Sequence, residues 1–147
     1  PPVADDDEEE FVPPPVTEKA RAFVEEVVND PDERVVMFSL EWCEFCWSAR
    51  KMFKAYGIDY RSVDLDSVEY QEDDWGGDIR AALIERTDLR TIPQIFVGGE
   101  HVGGATEAFD AFDDGTLKRL LGDVGIELET EGEPSAYRFL PKWLQPR

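Results

Sequence analysis

The residues best suited to chemistry are Cys43 and Cys46, the only two cysteines in the chain, set two residues apart within the stretch SLEWCEFCWSARKMF of residues 39–53. A thiolate is the nucleophile in thiol–disulfide exchange, and a second thiol within reach can attack a mixed disulfide formed on the first. The spacing has a second chemical reading, half of a structural zinc site. Zinc in such sites takes four protein ligands, and beyond the two cysteines the chain offers only His101 and no second cysteine pair. Redox chemistry is therefore the favoured reading.

The elements around the cysteines are legible. The apolar run Val35-Val36-Met37-Phe38 precedes them, and Ala49, Met52, Phe53 and Tyr56 follow at the spacing of one helix face. This predicts strand, turn and helix, with Cys43 at the helix N-terminus, where unpaired backbone N–H groups favour a thiolate. The strand, residues 35–39, reads as buried on both faces. The helix ends at Gly57, a fitting position just past a helix C-terminus. Upstream, Thr17 is a candidate N-cap for a helix with Ala20, Phe23, Val24, Val27 and Val28 on one stripe, closed by Asn29-Asp30-Pro31-Asp32.

Residues 58–64 predict a second strand near a sheet edge, parallel to the first through the intervening helix. Residues 65–77 read as an irregular acidic loop, and Asp78 as the cap of a short helix with Ile79, Ala82 and Leu83 inward. Residues 91–104 read as a β-hairpin turning at Gly98-Gly99, with His101 as an exposed hairpin residue. A last helix starts near Ala105 and breaks at Gly115, with Leu117, Leu120 and Leu121 continuing its apolar pattern. The order α-β-α-β-α-β-β-α gives an α/β fold, a four-stranded mixed sheet with helices on both faces.

At 147 residues, 41% of them hydrophobic, the chain is expected to form one domain, residues 16–125, between two appendages. Residues 1–15, proline-rich and acidic, read as a disordered arm or linker. Residues 126–147 read as an extension whose Tyr137, Phe139, Leu140, Trp143 and Leu144 either pack back or dock elsewhere. The net charge is −19, of which residues 5–10 supply six, so the remainder is still acidic. Such a surface repels nucleic acid and anionic membranes, and suits a solvated surface, a high-salt cytoplasm or a basic partner. No apolar run reaches membrane-spanning length and no phosphate-binding glycine loop appears. The expected location, from the lack of a signal-peptide pattern, is cytoplasmic. The chain opens on Pro1-Pro2 and reads as a piece of something longer.

Together the strand–CxxC–helix, the Thr91-Ile92-Pro93 before an apolar strand, and the Gly98-Gly99 and Val102-Gly103-Gly104 pattern before the last helix resemble a glutaredoxin, over roughly residues 16–122. The combination is far more specific than CxxC alone. The resemblance implies a thioredoxin-like fold and glutathione-dependent thiol–disulfide exchange, with Cys43 as nucleophile and Cys46 as resolving thiol. It implies a cis Pro93 beside Cys43 and Ile92 offering its backbone to glutathione as an added strand. Arg90 is the candidate for the glycine carboxylate. Ala105, Thr106 and Glu107, after Gly104, would take the γ-glutamyl end. Phe45 and Thr91 complete the expected glutathione contacts. Some members instead hold a [2Fe–2S] cluster between two subunits through the first cysteine and glutathione, so a cluster-binding or docking module is the alternative.

The chain departs from the family pattern. Leu40 stands where a lysine is usual, and Glu44-Phe45 fill the motif in place of Pro-Tyr or Gly-Phe. Glu41 and Glu44 flank Cys43, and carboxylates there oppose the helix N-terminus. Arg50 and Lys51, a turn or more along, are expected to point away. Trp42 is expected to shape the active rim, and Trp47 to pack or share that rim. The EWCEFCW core and the FLPKWL stretch of residues 139–144 also resemble glutaredoxin domains fused to cysteine-synthase-like enzymes.

Overall fold

The computed structural model describes residues 15–127 and 135–144. The expected arm at residues 1–15 lies outside them except for Pro15, as does part of the expected extension. Helix α1 (Glu18–Val28) begins at Thr17, whose hydroxyl accepts the Ala20 N–H at 3.1 Å. Strand β1 (Val35–Ser39) is buried along its whole length, and helix α2 (Glu44–Ala55) follows with Cys43 as its N-cap. Strand β2 (Arg61–Asp64) pairs parallel with β1. Strands β3 (Gln94–Val97) and β4 (Glu100–Gly103) form the hairpin, and β3 runs antiparallel to β1. The sheet order β2-β1-β3-β4 leaves β2 and β4 at the edges.

Side chains alternate across a strand, and β1 uses both faces. Val36 and Phe38 join Val63 and Phe96 beneath α1 and helix α3 (Trp75–Thr87). Val35 and Met37 join Ile95 and Val97 beneath α2, helix α4 (Ala105–Asp113) and helix α5 (Thr116–Asp123). This is the thioredoxin-like arrangement, with β1 at the centre delivering its C-terminal end to the cysteines. Gly57 takes a φ of 70° just past α2, Gly98 and Gly99 take 60° and 86° in the hairpin turn, and Gly115 takes 88° between α4 and α5. These are backbone conformations that side chains disfavour.

Four expectations need correction. The second strand is shorter than residues 58–64, because Ile58 N–H bonds back to Phe53 O at 2.9 Å and belongs to the close of α2. Residues 65–77 are more ordered than an irregular loop: a 3₁₀ turn, Val68–Tyr70, and a left-handed pair, Asp73 and Asp74, lead into α3, which starts at Trp75 rather than near Asp78. Packing drives this, since Trp75 meets Phe23 edge-on at 5.6 Å with Lys19 Nζ 4.6 Å over its ring. His101 is half-buried against Phe96, ring centroids 5.0 Å apart, with Nε2 shielded from solvent. Pairing with Phe96 in the bulged β3–β4 ladder sets that position.

Finally, the described part of the tail, Ala136–Phe139 and Lys142–Leu144, is two 3₁₀ turns, the first of which folds against α2 and α4. Ala136 and Leu140 are buried there. Arg138 donates to the Tyr56 hydroxyl at 2.8 Å and Tyr137 to Asp110 at 2.7 Å. The apolar tail thus has a packing role within this chain.

Candidate active site

The end of β1 turns sharply into α2, and the turn exposes one thiol and hides the other. Cys43, in extended backbone conformation, caps the helix with its sulfur, which accepts the Cys46 N–H at 3.4 Å. It is partly exposed, whereas Cys46 is fully buried; both are free thiols. Burial, with smaller contributions from Cys43, pushes the Cys46 thiol up to about 12, against the pull of the Leu40 N–H and the Arg50 charge. The pair is thus asymmetric: one sulfur can reach a substrate, and the other is held protonated in reserve.

Cys43 Sγ lies 4.0 Å from the Ile92 carbonyl oxygen, and the Ile92–Pro93 peptide is cis. A groove of about 440 Å³ opens from this point. Phe45, Thr91, Ile92, Pro93, Gly104, Ala105, Thr106 and Glu107 line it, so the structure brings together these sequence-selected residues. Arg90 is the exception: it is exposed and lies outside the lining. Leu89, which lines the groove instead, carried no sequence signal beyond its nearness to Thr91-Ile92-Pro93. Gly103 and Gly104 let the wall close up. A Cβ on Gly103 would press on the Glu107 side chain, and one on Gly104 would crowd the Pro93 carbonyl. The Glu107 carboxylate accepts the Gly104 N–H at 2.8 Å, fixing the first turn of α4.

Two braces escaped the sequence reading. Gln94 is buried, and its side chain donates to the carbonyls of Leu89 (2.7 Å) and Thr91 (3.3 Å) while accepting from the Thr87 hydroxyl (3.0 Å). It pins the segment carrying Ile92–Pro93 to β3. Its signal was a lone amide in an apolar strand. The second brace corrects an expectation. Arg50 does not point away; it folds back under the corner, with Nη2 donating to Asp64 Oδ1 (2.9 Å), Ser39 Oγ (2.9 Å) and Leu40 O (3.2 Å). Asp64 also accepts from Ser39 and Ser62. Burial pushes the Asp64 carboxyl up, but the two hydroxyls and the Arg50 guanidinium outweigh it and hold it below the usual range. Lys51 is exposed, as expected.

The rim is aromatic. Trp42 and Trp47 meet edge to face at 5.9 Å, and the Trp47 indole N–H donates to Glu41 O at 2.7 Å. Asp66 accepts the Glu41 N–H at 2.7 Å, which ties the turn to the end of β2.

Among the described residues no group of His, Cys, Asp and Glu is placed to hold a metal ion, and no helix is long and apolar enough to cross a membrane. The glutaredoxin family model matches residues 35–102. Glutaredoxin-C2 of Arabidopsis thaliana is 36% identical over 69% of this chain and 85% of its own. Glutaredoxin-C4 of the same plant is 35% identical over 70% and 71% respectively. Among solved structures, a buckwheat glutaredoxin–glutathione complex aligns with a TM-score of 0.66 and 34% identity, covering 76% of this chain and 98% of that one. The matched span holds both thiols and the cis bend beside Cys43, and on that ground the chain belongs to the glutaredoxin family, as a thiol–disulfide oxidoreductase.

Proposed function

We propose that the chain reduces disulfides, glutathione mixed disulfides among them, with glutathione as the reductant. One observation carries this reading: the reachable sulfur of Cys43 lies 4.0 Å from the carbonyl of Ile92, a residue that lines the groove, and a second thiol is buried close by. Cys43 thiolate attacks one sulfur of the substrate disulfide. That S–S bond breaks, and the departing thiolate takes a proton. A mixed disulfide now joins Cys43 to the other half. In a glutathione mixed disulfide the half left on Cys43 is glutathione; a free glutathione thiolate attacks that glutathionyl sulfur, restores Cys43 and leaves as glutathione disulfide, so RS–SG and one glutathione become RSH and glutathione disulfide. Cys46 offers the other exit, but it must first lose a proton that burial retains.

The groove supports glutathione as an extended guest, with Ile92 supplying backbone partners as a neighbouring strand would. Thr91, Phe45 and the Gly104–Glu107 turn form its walls. The buckwheat relative was solved with glutathione, which favours the same guest here. Arg90, exposed near the mouth, is assigned the glycine carboxylate. Cys43→Ser should abolish reduction of the mixed disulfide between hydroxyethanethiol and glutathione. Cys46→Ser should retain or raise it. Full activity in the Cys43 variant would end this reading.

A second reading, a glutathione-ligated [2Fe–2S] cluster through Cys43 of two subunits, is favoured by the missing proline at Glu44-Phe45. Anaerobic assembly with iron, sulfide and glutathione, followed by a visible spectrum and sizing, tests it: a coloured dimer supports the cluster, a colourless monomer with turnover the enzyme. Residues 16–125 are taken as the catalytic unit, acting in the cytoplasm. A fused cysteine-synthase-like enzyme is a separate proposal, tested by the length of the native polypeptide.

A further inference from the structure

The corner around the reactive sulfur carries three exposed carboxylates and an exposed indole, with Arg90 exposed beside the groove. Glu41 and Glu44 are both exposed on either side of Cys43, and Glu107 is exposed on the groove wall. Among the described residues that line the groove, Glu107 alone is ionisable. The cation beneath the corner, Arg50, is engaged by Asp64. Trp42 is 79% exposed, yet its ring is set in place against Trp47, which is itself fastened to Glu41. A large exposed indole held rigid beside carboxylates suits a cation, because the indole face attracts positive charge and the carboxylates neutralise it. The net charge of −19 acts in the same direction at longer range, and argues against a second copy of this chain as the occupant.

We propose that this corner selects protein or peptide disulfides whose cysteine is flanked by lysine or arginine, with one cationic side chain over Trp42 and its neighbours facing Glu41 and Glu44. The proposal rests on the oxidoreductase reading above and narrows its substrate class. The thiol is the site of reaction; the rim decides which disulfide reaches it.

The test uses two peptides identical except for their flanks, Lys-Cys-Lys in one and Glu-Cys-Glu in the other, each carrying glutathione on its cysteine. The ratio of their kcat/KM values is the readout, because a change in the reactivity of Cys43 itself acts on both alike. The expected ratio favours the basic peptide by about tenfold or more at low salt. It should collapse between about 20 mM and about 500 mM NaCl, as the screening length falls from roughly 20 Å to roughly 4 Å. The double substitution Glu41→Gln and Glu44→Gln, and separately Trp42→Ala, should each cut the ratio by about threefold or more. A ratio near one at low salt, or one that neither variant changes, overturns the proposal while leaving the oxidoreductase intact. Failure to reduce either peptide or the small hydroxyethyl mixed disulfide overturns both.

Discussion

At the scale of single residues, what separates the two thiols is burial. At about pH 8, a thiol pushed up to about 12 is ionised in about one molecule in ten thousand. Brief iodoacetamide treatment of the reduced protein should therefore label Cys43 and spare Cys46, and peptide mass spectrometry reads the outcome directly. Equal labelling would mean that Cys46 is not shielded. His101 gives a second test. Burial pulls its imidazole below the ordinary histidine range, against a smaller pull from Glu107. A depressed value means that neutral His101 contributes stability above its unfolded value of about 6.5, and that this is lost as pH falls through the folded value. The melting temperature should drop between about pH 7 and pH 5, and less so in His101→Phe.

The elements explain why some of this was readable from the chain and some was not. The strand–turn–helix at residues 35–55 is written in local periodicity, and the hairpin in its paired glycines, so both were legible. The start of α3 was not. Asp73 and Asp74 adopt φ of 53° and 56° before it, a left-handed pair that no local pattern of aspartates announces. The direction of Arg50 was equally hidden, since it depends on Asp64 and Ser62 from another strand. Gln94 shows the same limit: a buried amide is visible as an anomaly, but its partners are not.

Gln94→Leu strips the 88–93 segment of its anchor and leaves the Leu89 and Thr91 carbonyls short of a donor, so it should destabilise by about 2 kcal/mol in urea melts. It should also raise KM for glutathione more than it lowers kcat. Gly76→Ala improves helix propensity by about 1 kcal/mol, but a Cβ there runs into the Leu65 carbonyl oxygen. The net result should be a loss of about 1–3 kcal/mol, and a neutral or stabilising outcome would show that α3 can shift away from Leu65.

For the whole molecule, charge and the tail dominate. A surface of net −19 repels itself, so the melting temperature should rise from low salt to about 1 M NaCl as that repulsion is screened. A fall would mean that pairs such as Arg21–Glu85 matter more than the net field. The C-terminal segment buries Ala136 and Leu140 and covers Tyr56, which stacks on Phe112 at 4.4 Å. Truncation after residue 134 should lower stability by about 2–4 kcal/mol, read as a reduced urea midpoint. The sequence showed that this tail was too apolar for a linker. It did not show where the tail goes, because the receiving surface is assembled from α2 and α4, far away along the chain.

Tyr56 closes α2, and the grip on it from Arg138 gives the catalytic helix a second mooring, besides the one that Arg50, at mid-helix, makes with Asp64. A rod fastened at its middle and its end has little room to slide. When the dithiol closes into a disulfide, the change should therefore be absorbed by the corner and the first turn of α2, residues 40–46. Amide chemical shifts compared across the two redox states should change there and stay quiet along residues 50–56.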